Sequence, residues 1–233
     1  MKLMLNKSLN FVSLVCCCIA LSGCVTQSKD VEQRAFQISS LVKTDIDSVA
    51  EMHQKVVLDS LAQLATKLYK RNPREWRKGG HESLESAVAD ITQFPFPEVD
   101  GKSSIDCIRL AFNDDYPGDR VRAFIVGLET MILNAYDGDR EFFIPDLLDP
   151  QKLYDSARNI ELASWLIRTK KNAYGELFLL SSGETEPVVN SSFPRLYGKM
   201  INAQDMLALI VADTSNRQIK LVLQSVAAAF IPI

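Results

Sequence analysis

Histidine and cysteine are scarce in this sequence, and their scarcity bears on metal binding. The two histidines, His53 and His81, stand far apart, and no His-x-x-x-His or Cys-x-x-Cys pair occurs. Because zinc sites are built from such closely spaced ligands, we predict no metal and no cofactor. After Cys24 the chain has a single cysteine, Cys107, which has no second thiol with which to pair. It lies in the apolar stretch 105–111, so we expect a buried, unreactive thiol.

The sequence also lacks the common catalytic and phosphate-binding motifs. Its glycines are scattered, with no Gly-x-Ser-x-Gly, no Gly-x-x-x-x-Gly-Lys and no Gly-x-Gly-x-x-Gly. A Ser/His/acid triad would have to draw on His53 or His81, and we interpret both histidines as structural. Paired carboxylates remain the one catalytic arrangement open to the chain, because their separation in space is invisible in a sequence.

Positive charge and long apolar runs are in short supply as well. The chain has 26 Lys and Arg against 29 Asp and Glu, and two of the lysines lie in residues 1–23, which leaves a net charge of −5 for the rest. This balance gives no electrostatic reason to bind nucleic acid. An apolar run over residues 11–21 and the C-terminal SVAAAFIPI both fall short of the roughly 20 residues that span a bilayer.

The first 24 residues have the pattern of an export signal. Lys2 and Lys7 form a positive region without acids, the apolar run 11–21 is broken only by Ser13, and the small residues Ser22 and Gly23 follow. This order of charge, apolar run and small residues is typical of a secretory signal peptide.

The four residues at its end, Leu21-Ser22-Gly23-Cys24, resemble the lipobox of bacterial lipoproteins. The resemblance implies cleavage before Cys24, a diacylglyceryl thioether on its sulfur and an acyl chain on the new amino group. One acyl chain holds a protein only marginally, whereas several anchor it stably. Val25 stands where an Asp would imply retention at the inner membrane, so the resemblance implies the outer membrane. The alternative is an ordinary signal peptide with a cysteine at its boundary.

We therefore predict three parts: a removed signal peptide at 1–23, a polar tether at 24–30, and one helical periplasmic domain at 31–233. A long amphipathic helix is predicted from Ile38 through Leu68, ending before Asn72-Pro73. Asn72, Pro73 and Glu75 then predict the N-cap, first position and capping box of a short helix that ends at the glycines of WRKGG.

Further helical patterns lie at 82–92, 104–112, 119–135, 149–171, 195–212 and 215–229. From the helical patterns of the chain we predict an all-α bundle of six or seven helices. The helix at 119–135 has few polar positions and is predicted to be central, and the last helix is predicted to begin with a capping box at Ser215. Residues 176–192 predict either one small β-hairpin or a loop.

Two acidic clusters are the candidate sites. They are Asn113-Asp114-Asp115 with Asp119, and Asp137-Gly138-Asp139 with Glu141. Carboxylates suit Ca²⁺, but neither cluster fits the EF-hand loop, and both lie at helix ends, where Asp and Asn cap and turn. We interpret them as caps paired with nearby Arg109, Arg120, Arg122 and Arg140, and a ligand surface or metal site is the alternative. The weak catalytic candidates are Asp114, Asp115, Asp137 and Asp139.

These patterns predict a lipid-anchored interaction or assembly factor that faces the periplasm from the outer membrane. Its expected partners are the membrane, through lipid on Cys24, and an envelope protein. The segment FPFPEVDG could dock in a partner's groove, although Phe94 and Phe96 can equally cover the core. The alternative function is an enzyme acting on envelope material such as peptidoglycan, with its site among the acidic residues.

Overall fold

Helices dominate the part of the chain that the computed structural model describes, which is residues 45–92, 98–142, 148–182, 191–215, 219 and 230–233. There are seven in these ranges: α1 Asp45–Arg71, α2 Pro73–Lys78, α3 Leu84–Ile91, α4 Ser104–Ala111, α5 Arg120–Asn134, α6 Pro150–Thr169 and α7 Ser192–Ser215. The same residues form no sheet, which confirms the predicted all-α bundle. None of the described helices is both long and apolar enough to cross a bilayer.

Helix α5 is the centre of the bundle, as its apolar composition predicted. It packs against α1, α2, α3, α4 and α6, and most of its residues are buried. Its N-cap is Asp119, whose side chain accepts a hydrogen bond from Arg122 N, so the predicted start of this helix is confirmed. Helix α4 crosses it at Gly127, where only a glycine lets the two backbones approach so closely.

Helices α1, α6 and α7 form the other side of the bundle. His53 Nδ1 lies 2.8 Å from Ala203 O and Lys67 Nζ donates to Ser192 Oγ, so α1 and α7 run antiparallel. Buried polar side chains join three elements here, because Tyr136 donates to Gln204 Oε1 and Gln204 Nε2 donates to Ser156 Oγ. These bonds satisfy groups that would otherwise be buried without partners.

The predicted capping box at α2 is wrong. Asn72 precedes the helix, but its side chain makes no capping bond. Its amide instead donates to Leu180 O at 2.9 Å and accepts from Leu180 N at 2.8 Å. Glu75 reaches across to the start of α5, where Oε2 accepts from Arg120 N at 2.7 Å. Tertiary partners therefore replaced the local ones that the sequence motif suggested.

Other predictions meet the structure only in part. In the hairpin region, Lys171 and Leu177 form an isolated antiparallel bridge, and residues 183–190 lie outside the described ranges. Ser215 ends α7 and donates to Val211 O, while the rest of the helix predicted after it falls almost wholly outside those ranges. Phe94, Phe96 and residues 1–44, with the signal and tether, lie outside them too.

Candidate functional site

Three members of the first acidic cluster, Asn113, Asp114 and Asp115, form an exposed turn, whereas Asp119 is buried. Asp114 and Asp115 are both exposed, and Asp115 N donates to Asn113 Oδ1 at 3.1 Å, which closes a local turn. Asp114 Oδ1 accepts from Ala173 N at 3.1 Å. Asp114 therefore positions a loop that lies far along the chain.

The arginines near this cluster have partners other than the predicted ones. The guanidinium of Arg120 donates to the carbonyls of Ala111, Asn113 and Tyr116 at 2.9, 2.7 and 2.9 Å. Arg109 pairs with Asp106, and Arg122 pairs with Asp90. The prediction that these three arginines neutralise the clustered acids is wrong. The guanidinium of Arg120 holds the turn through the carbonyls of the turn's backbone. Its five N–H donors are fixed on one planar group, which suits several carbonyls at once.

The second acidic cluster lies in the turn after α5. Asp137 has a φ of 56° and pairs with Lys152, and Asp139 accepts from Gln54 Nε2 at 2.7 Å through its backbone carbonyl. Both aspartates are exposed. Across the described ranges, no group of three or more His, Cys, Asp or Glu residues is arranged to hold a metal ion.

A third polar cluster, which the sequence did not reveal as a unit, lies at the start of α5. Tyr69 donates from its hydroxyl to Asp119 Oδ2 at 2.8 Å, and Asp119 Oδ1 accepts from Arg122 N at 2.9 Å. Glu75 accepts from Arg120 N beside them. Two carboxylates thus meet the positive end of one helix, where negative charge is stabilised.

Burial controls the ionisation of this cluster. Desolvation raises the pKa of Asp119 above its ordinary value, against the hydrogen bonds from Arg122 N and Tyr69, and burial also raises the pKa of Tyr69. Perturbed pKa values often mark active sites. Here both side chains are buried, so no substrate reaches them and the cluster acts as a helix cap. His81 lies at the outer edge of this cluster, and its Nε2 is 3.8 Å from Asp90 Oδ2.

Two further buried groups are chemically distinctive. Cys107 is buried and unpaired as predicted, and burial raises the pKa of its thiol to about 12, so the reactive thiolate is suppressed. Glu129 on α5 is 4% exposed, and its Oε2 has no hydrogen-bond partner among the described residues. Burial raises the pKa of Glu129 to about 8, and the charge of Arg140 opposes this rise.

The most exposed apolar side chain of the described ranges lies after α6, in a segment that we call the 170–180 segment. Tyr174 is 89% exposed there, and Leu180 is 49% exposed. Asn172 Oδ1 accepts from the backbone N–H groups of Tyr174 and Glu176, at 3.0 and 2.9 Å. The turn is completed by Gly175, with a φ of +80°, a conformation that glycine adopts without strain.

Asn172 and Gly175 in KKNAYGE are a readable turn signal, although no sequence pattern marked this segment as so exposed. Side chains from elsewhere in the fold hold both of its ends: Asp114 binds Ala173 N, and Asn72 binds Leu180. Tyrosine is one of the residue types enriched among those that dominate the binding energy of protein interfaces. No family model, no curated protein and no solved structure matches the chain.

Proposed function

We propose that this protein is a lipid-anchored interaction factor of the bacterial cell envelope, held at the outer membrane through Cys24 with its helical body in the periplasm. The observation that carries the proposal is the lipobox-like Leu21-Ser22-Gly23-Cys24 behind a positive and then apolar segment. Several acyl chains on one residue would make release from a bilayer negligible, so no transmembrane helix is needed.

Exposed apolar side chains support the interaction role. Met52 of α1 and Met206 and Leu209 of α7 are all exposed. Met206 and Leu209 are three residues apart and therefore share one exposed face of α7. Methionine is unbranched and adaptable, and it is common on surfaces that bind other proteins. This surface therefore favours a protein partner.

Anchoring is tested by mass and by fractionation. We expect the intact mass of the native product to correspond to a chain that begins at Cys24 and carries acyl groups. A Cys24→Ser variant should leave the membrane fraction for the soluble fraction, while Cys18→Ser, in the removed segment, should fractionate like the wild type. A product that retains Met1, or one that begins elsewhere without acyl groups, would contradict the proposal.

The interaction role is tested by crosslinking in living cells at native expression, followed by identification of the adducts. We expect discrete adducts with one or a few envelope proteins, and Met206→Ser should diminish them if the exposed face of α7 with Met206 and Leu209 is the contact. Asp137→Ala should keep them, because it removes an exposed carboxylate paired with Lys152 and no exposed apolar side chain. Loss of a biochemical activity in a folded Asp137→Ala protein would instead support the alternative of an acidic enzyme site.

A further inference from the structure

The 170–180 segment is unusual because Tyr174 and Leu180 are held out in water by a dedicated set of bonds, although Leu179 between them is buried. Asn172 N donates to Glu176 O at 2.8 Å, and Gly175 N donates to Asn172 O at 3.0 Å. Together with the Asn172 side-chain bonds, these contacts leave the backbone of the turn little freedom. Leu179 is buried, but ordering the tip at 172–176 costs conformational entropy and buries no apolar side chain in return, so the gain lies in what the tip contacts.

Positive charge accompanies the exposed tyrosine. Arg168, Lys170 and Lys171 precede Tyr174 and are all exposed. Neither lysine ammonium has a carboxylate partner in the described part of the chain, and Glu176 is the one acid within the segment. The cations therefore stand free in a domain that is acidic overall.

We propose that the 170–180 segment contacts an anionic phospholipid surface, with Tyr174 and Leu180 at the boundary between headgroups and acyl chains and Lys170 and Lys171 against the phosphates. Tyrosine is enriched at this boundary because one edge of its ring is apolar and the other is polar. Lysines near an anionic leaflet each favour association by about fivefold.

This inference rests on the proposed function, because a lipid anchor keeps the domain within reach of the bilayer. Tethering raises the effective concentration of the second contact, so a weak contact is enough to orient the domain. An acidic protein would also attract the two lysines. The bilayer is the better match because it offers anionic and apolar layers side by side, which fits cations and apolar side chains carried on one short segment.

The test uses the full lipidated protein reconstituted in phosphatidylcholine vesicles with and without phosphatidylglycerol. Ala173→Cys, at an exposed position, is labelled with an environment-sensitive fluorophore, and the buried Cys107 stays unlabelled. We expect emission to shift to shorter wavelength when phosphatidylglycerol is present. The shift should be lost in Lys170→Gln/Lys171→Gln and in Tyr174→Ser, and high salt should reduce it.

A charge-matched control separates local contact from net charge. Lys70 of α1 and Lys199 of α7 are exposed, and Lys70→Gln/Lys199→Gln should retain the shift. Equal emission in the two kinds of vesicle, or equal loss in this control, would overturn the inference. So would a photoreactive residue at position 174 that crosslinks in cells to a discrete protein instead of lipid.

The mass of the same preparation keeps the two proposals apart. If acyl groups are present and the fluorophore does not shift, only the membrane contact of the 170–180 segment is wrong. If acyl groups are absent and the fluorophore still shifts with phosphatidylglycerol, the contact stands and the anchoring is wrong.

Discussion

Asp119 serves two elements with one carboxylate. One oxygen caps α5 through Arg122 N, and the other accepts the hydroxyl of the buried Tyr69. We expect Asp119→Ala to lower the free energy of unfolding by about 2–4 kcal/mol, because it removes a cap and leaves a buried hydroxyl without an acceptor. Urea denaturation followed by circular dichroism measures this loss.

Asp149 provides the matched control for that substitution. It caps α6 through Gln151 N at 2.9 Å, and no hydroxyl of the described residues bonds to its other oxygen. Asp149→Ala should therefore lower the free energy of unfolding by only about 1 kcal/mol. Equal losses in the two variants would show that the bond from Tyr69 contributes no stability.

Glu129 should make stability depend on pH. Burial raises its pKa from 4.5 to about 8. Between these values the folded protein keeps a proton that the unfolded chain has released, so the free energy of unfolding falls as pH rises from about 4.5 to about 8. At about 1.36 kcal/mol per pKa unit the fall is on the order of 5 kcal/mol.

A Glu129→Gln variant isolates this effect. The neutral amide has the same size and does not titrate. The free energy of unfolding of the variant should therefore rise relative to that of the wild type when urea denaturation is repeated from pH 5 to pH 8. Glu82→Gln, at an exposed position, should follow the wild-type pH profile. A Glu129→Gln profile parallel to the wild type would mean that the carboxyl ionises freely in the folded state.

At the scale of elements, the crossing of α4 over α5 depends on the absence of a side chain at Gly127. A Cβ there would lie 2.6 Å from Ile108 N and 2.8 Å from Ser104 O, and backbone atoms cannot turn away as a side chain can. We expect Gly127→Ala to lower the free energy of unfolding by about 3 kcal/mol, because the backbone of α4 must move to make room for the new methyl group. Thermal and urea denaturation both report this change.

Gly198 in α7 is the control for Gly127. A Cβ there would meet nothing within 4 Å, so the only effect of alanine is on backbone entropy. Gly198→Ala should raise the free energy of unfolding by about 0.5–1 kcal/mol. Opposite signs for the two alanines are the expected outcome, and two losses of equal size would contradict the close crossing.

At the scale of the whole molecule, two asparagine side chains fasten distant segments to the bundle. Asn159 of α6 donates to Ile231 O and accepts from Ile231 N, both at 2.8 Å, and Asn72 holds Leu180 in the same way. Each asparagine side-chain amide bonds to both the backbone N–H and the backbone C=O of one residue, as a neighbouring β-strand would.

Removing the side-chain amide of Asn159, which clamps Ile231 by two hydrogen bonds, should loosen the C-terminal residues first. We expect Asn159→Ala to speed hydrogen exchange at the Ile231 amide by at least tenfold, since about 1.4 kcal/mol of lost protection gives this factor. Asn72→Ala should leave Ile231 unchanged and speed exchange at Leu180. Faster exchange at both amides in both variants would indicate global destabilisation instead of two local clamps.

The sequence alone was enough to predict the helices of the described ranges and where several of them begin. Apolar periodicity marked α4, α5 and α6, and Asp149-Pro150 predicted the start of α6, because helix periodicity and caps depend only on residues a few positions apart. It also placed Cys107 in the core and a nearly apolar helix at the centre. These features are local in the chain, so a pattern can contain them.

The partners of the polar side chains became clear only from the folded structure. Glu75 bonds to Arg120 N, 45 residues away, Asp114 to Ala173 N, 59 residues away, and Asn72 to Leu180, 108 residues away. Each has a local role that its sequence context favours, such as a capping box at Asn72 or an acidic site at Asp114. The distant partner prevailed because the packing brings each backbone N–H within reach of that side chain, and periodicity does not encode which helices meet.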